Sequence, residues 1–424
     1  MAAVPVQGDL LTGASAPYLS IVACSRNDDH GGHLQERTQL FIDGIADQAR
    51  RFALDCELIL VDWNPPLDRP GLANLLRYPG AEGHLVTRVI TVPAEVHRNL
   101  PHAEALPLFQ MIAKNVGIRR SRGRMVLATN IDILFPDPLV ARLAVRDLDA
   151  GGSVYRTDRL DIDWLAETGG AHDLSRLRGL PPLRYHRRDG TYDATGARVL
   201  PLYQNLGDLI EYRWRHRRDR AAHSRAAGPE TKPTGLVRRG LSYTGKLWNL
   251  VTVPKPHGNG CGDFTMMGRG CWLRVGGYAE WPTYSWNIDA LLLYQARAYG
   301  LHEVVLPPDC SVRHMEHGAG SGWTPEGAAS LFRRLQAGAV PVVTNETLAR
   351  EARNLGLGVG RRPRPRQYAP PNWGYASAVF EERAFPEGAR VTAPDRGSPP
   401  AERSAAELDA SIRRPSSEGS RDRI

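Results

Sequence analysis

The chain has 424 residues, of which 42% are hydrophobic, and it carries a formal net charge of +8. This length is enough for one large α/β domain or two smaller ones. The five cysteines include no C-x-x-C pair, which argues against a disulfide framework or a cysteine zinc site, and no apolar run approaches the ~20 residues of a membrane-spanning helix.

These features predict a reduced, cytoplasmic protein with no signal peptide and no transmembrane segment. The basic charge suits anionic ligands, so peripheral contact with a membrane surface stays open. It is equally compatible with a soluble protein that has no such partner.

The first third of the chain alternates between β-rich apolar runs and amphipathic stretches. Strands are predicted at 18–24, 57–64 and 84–92, and helices at 34–54 and 109–120. This alternation is typical of a mostly parallel sheet flanked by helices. Neither G-x-x-x-x-G-K-[ST] nor G-x-G-x-x-G occurs, so the common phosphate-loop signatures are missing.

The stretch 125–135 is the most informative part of the sequence. It begins as an apolar run typical of a strand buried on both faces, and it then places Asp132 beside the polar Asn130. A carboxylate at the carboxyl end of such a strand lies where open α/β sheets bind ligands. The alternative is that Asp132 caps the helix that follows.

Residues 165–250 form a predicted insertion, rich in arginine in its first 75 residues. Its densest cluster consists of Arg213, Arg215, Arg217, Arg218 and Arg220. An exposed, solvated face is the favoured interpretation of such a cluster. Only Tyr212 and Trp214 lie within it, too few aromatics for a stacking platform, so no nucleic-acid partner is expected.

Order is predicted to return at about residue 258. The pattern indicates a strand that leads into a polar turn at 154–161, before the insertion. After the insertion it indicates a helix at 290–299, a strand at 304–306 and a helix that follows Gly327 and ends at about residue 335. His314 and His317 follow the late strand. From 386 the chain lacks the apolar residues needed to offset ordering entropy, so a disordered tail is predicted over 386–424.

Several of these segments together resemble a GT-A-fold, family-two-like glycosyltransferase. The resemblance is carried by Tyr18–Asn27, Leu58–Asn64, Asn115–Arg119, Asn130–Asp132, Gly262–Phe264 and Gly276–Tyr278. It implies a GT-A domain over 17–385, whereas the small and polar residues 1–16 themselves predict a flexible N-terminus. Within that domain it implies a donor half over 17–150, the Arg-rich insertion over about 165–250 and an acceptor half over 251–335.

The resemblance also implies roles for the donor-side residues. Ser25, Arg26, Asp62, Asn115, Asn130 and Asp132 would bind a nucleotide-diphosphate sugar. The family's Asp-x-Asp motif, which holds a divalent metal, reads Asn130-Ile131-Asp132 here, so one carboxylate is lost and metal dependence is in question. Asp132 would anchor Mn²⁺ or Mg²⁺, and His314 or His317 would complete its coordination. The alternatives are that His317 caps a turn and that His314 packs in the core.

On the acceptor side, Asp289 matches the family's general base, and Asp263 matches its acceptor-side acid. Asp289 is alternatively a helix-start acid that interacts with the dipole, and Asp263 a turn residue. Trp286 and Trp323 are predicted to stack on a sugar or, equally, to pack in the core. The acceptor is not identified by the sequence.

Three hypotheses about function follow. The first is an inverting, metal-assisted transferase of the hexosyl or a related type, which moves a sugar to an acceptor hydroxyl. The second is a protein that binds a nucleotide sugar without turnover, which the change to Asn130 permits. The third is a protein that binds an anionic surface or nucleic acid through the arginine cluster.

Overall fold

The computed structural model describes residues 16–166, 173–201, 255–317, 325–358 and 361–386. The helices in these ranges are α1 (Leu34–Arg51), α2 (Leu72–Leu75), α3 (Ala94–Arg98), α4 (Gln110–Arg120), α5 (Asp137–Ala144), α6 (Leu174–Gly179), α7 (Arg269–Val275), α8 (Ile288–Ala298), α9 (Pro325–Ala337) and α10 (Asn345–Asn354). The strands are β1 (Leu19–Ser25), β2 (Cys56–Trp63), β3 (Leu85–Val92), β4 (Met125–Ala128), β5 (Ile133–Leu134), β6 (Ser153–Arg156), β7 (Arg159–Ile162), β8 (Pro182–Arg187), β9 (Gly190–Asp193), β10 (Arg198–Pro201), β11 (Thr265–Gly268), β12 (His302–Val305), β13 (Val312–Met315) and β14 (Glu381–Phe385).

The main sheet has the strand order β12-β6-β11-β4-β1-β2-β3-β14. Strands β11 and β14 run antiparallel to their neighbours, whereas the other six all point in the same direction. The predicted α/β fold, with a mostly parallel sheet between helices, is therefore confirmed. The carboxyl ends of the six parallel strands share one edge, where such sheets bind ligands.

Both faces of this sheet are buried, and β1 shows why its sequence is apolar throughout. Val22 and Cys24 pack on one face against residues of α4, α7 and α8. Ile21 and Ala23 point to the other face, where α1 and α5 cover them. Because successive side chains of a strand alternate between faces, a strand covered on both sides needs an unbroken apolar run.

A second sheet has the order β10-β9-β8-β7-β13-β5 and packs beside the carboxyl edge of the main sheet. Its strand β13 lies between β7 and β5, with His314 opposite both Asp161 and Ile133. This register brings His314 next to the residues that follow β4. The main chain adds a link there, because the Met315 amide donates to the Asp132 carbonyl at 2.9 Å.

Three segments differ from the predicted elements. The central strand ends at Ala128, so Asp132 lies in the turn between β4 and β5. The predicted strand at 154–161 is two strands, β6 and β7, because the chain leaves one sheet and enters the other. The first part of the predicted insertion, 173–201, forms α6 and the β8–β10 meander.

Other predictions fall on residues that the structure does not describe. These are the N-terminal residues 1–15, the arginine cluster at 213–220, Trp323 and the tail beyond Pro386. None of the helices in the described ranges combines the length and apolar character that a bilayer crossing requires.

Candidate functional site

Asp132 is a buried carboxylate at the carboxyl edge of the main sheet. Its Oδ2 atom lies 3.1 Å from His317 Nε2 and 3.7 Å from His314 Nε2. Its Oδ1 atom is buried and has no hydrogen-bond partner among the residues that the structure describes. Burial on its own would raise the pKa of Asp132, but the charges and hydrogen bonds of His314 and His317 hold it well below its usual value.

The orientation of His314 is set by a second buried acid. Asp161 lies opposite His314 in the second sheet, and its Oδ1 is 3.1 Å from His314 Nδ1. The Asp161 carboxylate accepts the Nδ1 proton and so leaves Nε2 facing Asp132, where it would be available to a cation, which is how carboxylates commonly orient metal-binding histidines. Burial and Arg159 lower the pKa of His314, but Asp132 and Asp161 raise it to about 10.

These three side chains fit a divalent cation. One oxygen of Asp132 and one ring nitrogen each of His314 and His317 lie within 4.8 Å of one another. The unpartnered Oδ1 of Asp132 is an additional ligand atom. A carboxylate with two imidazoles suits Mn²⁺ better than Mg²⁺, which prefers oxygen ligands. Binding would displace the proton that His314 otherwise carries.

A loop between β1 and α1 closes over this cluster. Arg37, which is 1% exposed, donates from Nη1 to Asp132 Oδ2 at 3.2 Å and from Nη2 to the carbonyls of His30 and Gly32. Gly31 has a φ of +77°, and a Cβ there would lie 2.4 Å from His317 Nδ1. Only glycine therefore allows the loop to approach His317 so closely.

Asn130, the amide in the Asn-Ile-Asp motif, is held by hydrogen bonds at both ends. Its Oδ1 accepts from Gln110 at 2.9 Å, and its Nδ2 donates to Asp263 Oδ1 at 2.6 Å. The other oxygen of Asp263 accepts from Arg159 Nη1 at 2.8 Å. The geometry thus explains the amide, because an aspartate at 130 would face the Asp263 carboxylate.

A second unpartnered carboxylate oxygen lies at the end of β2. Asp62 Oδ2 accepts from the Leu72 amide at 2.7 Å, whereas Oδ1 is buried and has no partner within the described ranges. Burial raises the pKa of Asp62 to about 6, although the Leu72 amide and Arg26 oppose this. Ser25 is opposite Asp62 in the β1–β2 register, and Arg26 Nε donates to the Asn64 carbonyl at 2.6 Å.

Asp289 lies in the first turn of α8. Burial raises the pKa of its carboxyl group, although the Cys261 thiol and the Ala290 amide lower it. Its Oδ2 lies against Gly262, where a Cβ would approach to 3.1 Å. Lys114 is completely buried nearby and donates to the Gly262 carbonyl at 2.8 Å. Asp289 and Lys114 are therefore both close to Gly262, next to Asp263.

Two further predicted residues have structural surroundings. Asn115 is 0% exposed, and its amide bonds the main chain of Tyr278 in both directions and also Glu280. The polar atoms of the Asn115 side chain are therefore all engaged within the protein, and none is left to bind a sugar nucleotide. Trp286 is half-buried and stacks edge-on against Phe332, with ring centroids 5.3 Å apart. Its acceptor role stays a prediction.

Sequence reasoning missed Arg37, Lys114 and Asp161. Arg37 and Lys114 are charged residues on helix faces that are otherwise apolar and buried, and that placement was a usable signal. Buried charges need polar partners, which are the Asp132 carboxylate for Arg37 and the Gly262 carbonyl for Lys114. Asp161 lay within the segment read as a strand leading into a turn, and its partner in β13 is 153 residues away.

Comparisons with known proteins found no matching family model and no curated protein. Solved structures with a related chain path include S. aureus TarS residues 1–349, at 10% identity and a TM-score of 0.36 over 79% of this chain and 69% of that one. GalNAc-T7 with UDP, GalNAc and Mn²⁺ matches at 12% identity and a TM-score of 0.33, over 76% of this chain and 48% of that one. The galactosyltransferase LgtC with donor and acceptor sugar analogues matches at 14% identity and a TM-score of 0.24, over 77% of this chain and 98% of that one. These likenesses are too distant to assign an activity, so the proposals below depend on the residues of this chain.

Proposed function

We propose that this protein is a GT-A glycosyltransferase that moves a sugar from a nucleotide-diphosphate donor to an acceptor hydroxyl with the help of a divalent cation. The observation that carries the proposal is the pair of buried carboxylates, Asp62 and Asp132, that each keep one unpartnered oxygen at the carboxyl edge of the sheet. Their strands are separated only by β1. Two strand spacings give about 10 Å, a separation that one nucleoside diphosphate can span.

In this proposal the donor lies across β2, β1 and β4. Asp62 Oδ1 accepts an N–H group of the nucleobase, and Ser25 and Arg26 line the adjoining end of β1. Asp132, His314 and His317 hold the cation, while Asp161 and Arg37 fix their orientation. The cation would supply positive charge to the departing diphosphate. Asn130 and Asp263 have a positioning role, because their polar atoms already bond to each other and to Gln110 and Arg159.

Asp289 is proposed as the general base. A base works best when its pKa lies near the working pH, and burial raises the pKa of this carboxyl group in that direction. Removal of the acceptor proton by Asp289 makes the hydroxyl oxygen a nucleophile, which attacks the anomeric carbon as the bond to the diphosphate breaks. Attack from the face opposite the leaving group gives inversion at that carbon.

A thermal-shift panel tests the proposal. Nucleotides and sugar nucleotides are added with and without Mn²⁺ to the wild type and to the Asp62→Asn and Asp132→Asn variants. A ligand that binds only the folded state raises Tm by mass action. In the wild type, we expect nucleotides and sugar nucleotides with one particular base to raise Tm. In Asp132→Asn, the part of this Tm increase that depends on Mn²⁺ should be lost. In Asp62→Asn, the difference in Tm between nucleotides with different bases should be lost.

Asp163→Asn serves as the matched control, because Asp163 is an exposed acid two residues after Asp161. It should respond to ligands as the wild type does. If no nucleotide or sugar nucleotide shifts the wild-type Tm under any condition, the protein does not bind this class of donor and the proposal fails.

A further inference from the structure

A second concave surface lies away from Asp132 and is lined mainly by cationic side chains. It is a groove of about 510 Å³ at the ends of β6, β8 and β12. Arg187, Arg188, Lys255 and Arg297 contribute the positive charges, and Asp158 and Asp189 the negative ones. We call it the basic groove.

The two acids of the basic groove are already engaged. Asp158 Oδ1 is 2.8 Å from His257 Nε2. Asp189 accepts a hydrogen bond from the Tyr192 hydroxyl and lies 3.9 Å from Arg198. Neither acid forms an ion pair with a cation of the groove, so the groove cations are not neutralised by its own carboxylates.

Three of the four cations lack a carboxylate partner in the described part of the chain. Arg188 pairs with Glu303 at 3.4 Å. In contrast, no ion pair joins Arg187, Lys255 or Arg297 to any acid of those residues. Arg187 is instead held over the rings of Tyr185 and Tyr192, at 5.2 and 5.3 Å. Lys255 is half-buried, and only burial shifts its pKa, which it lowers.

The position of the groove relates it to the proposed active site. Val305 is the last residue of β12, and Asp158 follows β6 by two residues. Both strands run parallel to β4, so the groove opens at the same edge of the sheet as Asp132. In the strand order β6 is two places from β4, which corresponds to about 10 Å.

We infer that the basic groove is an oxyanion-binding site that holds a phosphate group of the acceptor. Guanidinium groups and an ammonium without carboxylate partners are the side chains that bind phosphate best, through charge-assisted hydrogen bonds. A volume of about 510 Å³ leaves room for more than one phosphate group, so a polyphosphate is a suitable probe. The assignment to the acceptor rests on the proposed function, whereas the binding of an oxyanion does not.

The test is calorimetric titration of the full chain with tripolyphosphate in EDTA, without nucleotide. The groove variant is Lys255→Gln with Arg297→Gln. The control is Arg77→Gln with Arg98→Gln, which removes the same charge from exposed arginines outside the groove, 82% and 63% exposed. Asp132→Asn reports on the donor site.

We expect saturable binding to the wild type, a loss of roughly tenfold or more in the groove variant, and less than about twofold in the charge control. If the double variant does not fold, the single variant Arg297→Gln, at an exposed position, replaces it and should also weaken binding. Equal losses in the groove variant and the charge control would mean non-specific attraction and would overturn the inference. So would absence of binding to the wild type, or equal affinity in the wild type and the groove variant together with a changed affinity in Asp132→Asn, which would place the probe at the donor site.

Because no donor or metal is present in this titration, its result is independent of the nucleotide panel. A wild type that binds tripolyphosphate in the groove but no nucleotide would retain the oxyanion site and lose its assignment to an acceptor.

Discussion

Asn130 donates a 2.6 Å hydrogen bond from its amide to the Asp263 carboxylate, and this contact joins β4 to the segment before β11. Arg159 holds the other oxygen of Asp263 and also lies 2.9 Å from Asp161. Asp161 in turn orients His314. The Asn130 amide is therefore part of a chain of contacts that ends at His314, a candidate metal ligand.

The first prediction is that Asn130→Asp destabilises the fold. The new carboxylate keeps its bond from Gln110, but it faces Asp263 without a proton to donate. Two close carboxylates repel, and a buried acceptor is left unsatisfied, which costs roughly 1–3 kcal/mol of unfolding free energy. Urea denaturation in EDTA at neutral pH measures this difference.

The swapped double variant provides the control for this pair. In Asn130→Asp with Asp263→Asn, the asparagine at 263 donates to the aspartate at 130 and still offers an oxygen to Arg159. Most of the lost stability should return, with no change in net charge. A double variant as unstable as Asn130→Asp would show that the hydrogen bond is not the cause.

The second prediction concerns the raised pKa of Asp62. The folded-state pKa is about 6, above the roughly 3.9 of an unfolded aspartate. The native state therefore binds this proton more tightly, and the stability it contributes is present below about pH 4 and lost as the pH rises through 6. Asp62→Asn removes this titration.

Relative to the wild type, the Asp62→Asn variant should gain about 2–3 kcal/mol of stability between about pH 4 and pH 7.5. Urea denaturation across this range gives the difference curve. Asp163→Asn, at an exposed acid, should follow the wild type. Parallel stability curves for the wild type and Asp62→Asn would show that the Asp62 pKa is not raised.

Local patterns in the sequence were enough to predict β1, β2, β3 and β4 of the main sheet and the helices α1 and α4 beside them, whereas β11 and β14 were not predicted. β1, β2 and β3 are buried on both faces, so each has an apolar run that can be recognised without knowledge of the fold. The second sheet could not be predicted in this way. Its strands are short and polar, and it depends on the pairing of β13 with β7 and β5, whose partners are far apart in the chain.

The same distinction applies to the site. Asp62 lies at the end of a predictable strand and Asp132 follows another, so their placement at one edge follows from parallel topology. The contacts of His314 with Asp161 and of Arg37 with Asp132 depend on non-local register, which composition and spacing do not specify. For Arg37 and Lys114, the available signal was that each is a charged residue on a helix face that is otherwise apolar.

The third prediction is that His317→Gln weakens Mn²⁺ binding. His317 Nε2 faces Asp132 Oδ2 at 3.1 Å, so the substitution removes one nitrogen ligand. A loss of at least roughly 10- to 100-fold in affinity is expected, because that is the effect of changing residues that only orient metal ligands, and electron paramagnetic resonance of free Mn²⁺ measures it. His302→Gln, at an exposed histidine in β12, is the control. Equal Mn²⁺ affinity in the two variants would remove His317 from the metal site.

The last prediction separates Asp132 from Asp289 by the way in which their variants fail. Asp132 is proposed to act on the donor, so Asp132→Asn should lower both donor affinity and turnover. Asp289 is proposed to act only on the acceptor proton. Asp289→Asn keeps the size of the side chain and the bond from the Ala290 amide, but it no longer accepts the proton. Donor affinity should therefore be unchanged while kcat falls by roughly 10²- to 10⁴-fold, the usual contribution of a positioned base.

One donor titration and one rate measurement per variant decide between these outcomes, with Asp163→Asn as the control for loss of an acid. The pH profile adds a readout that a structural role would not give, because the wild-type rate should fall as Asp289 becomes protonated and the residual rate of Asp289→Asn should not follow that titration. A wild-type rate in Asp289→Asn would make Asp289 a helix-start acid. Unchanged donor affinity and metal dependence in Asp132→Asn would show that the turn after β4 is structural, and the transferase proposal would lose the residue on which it depends.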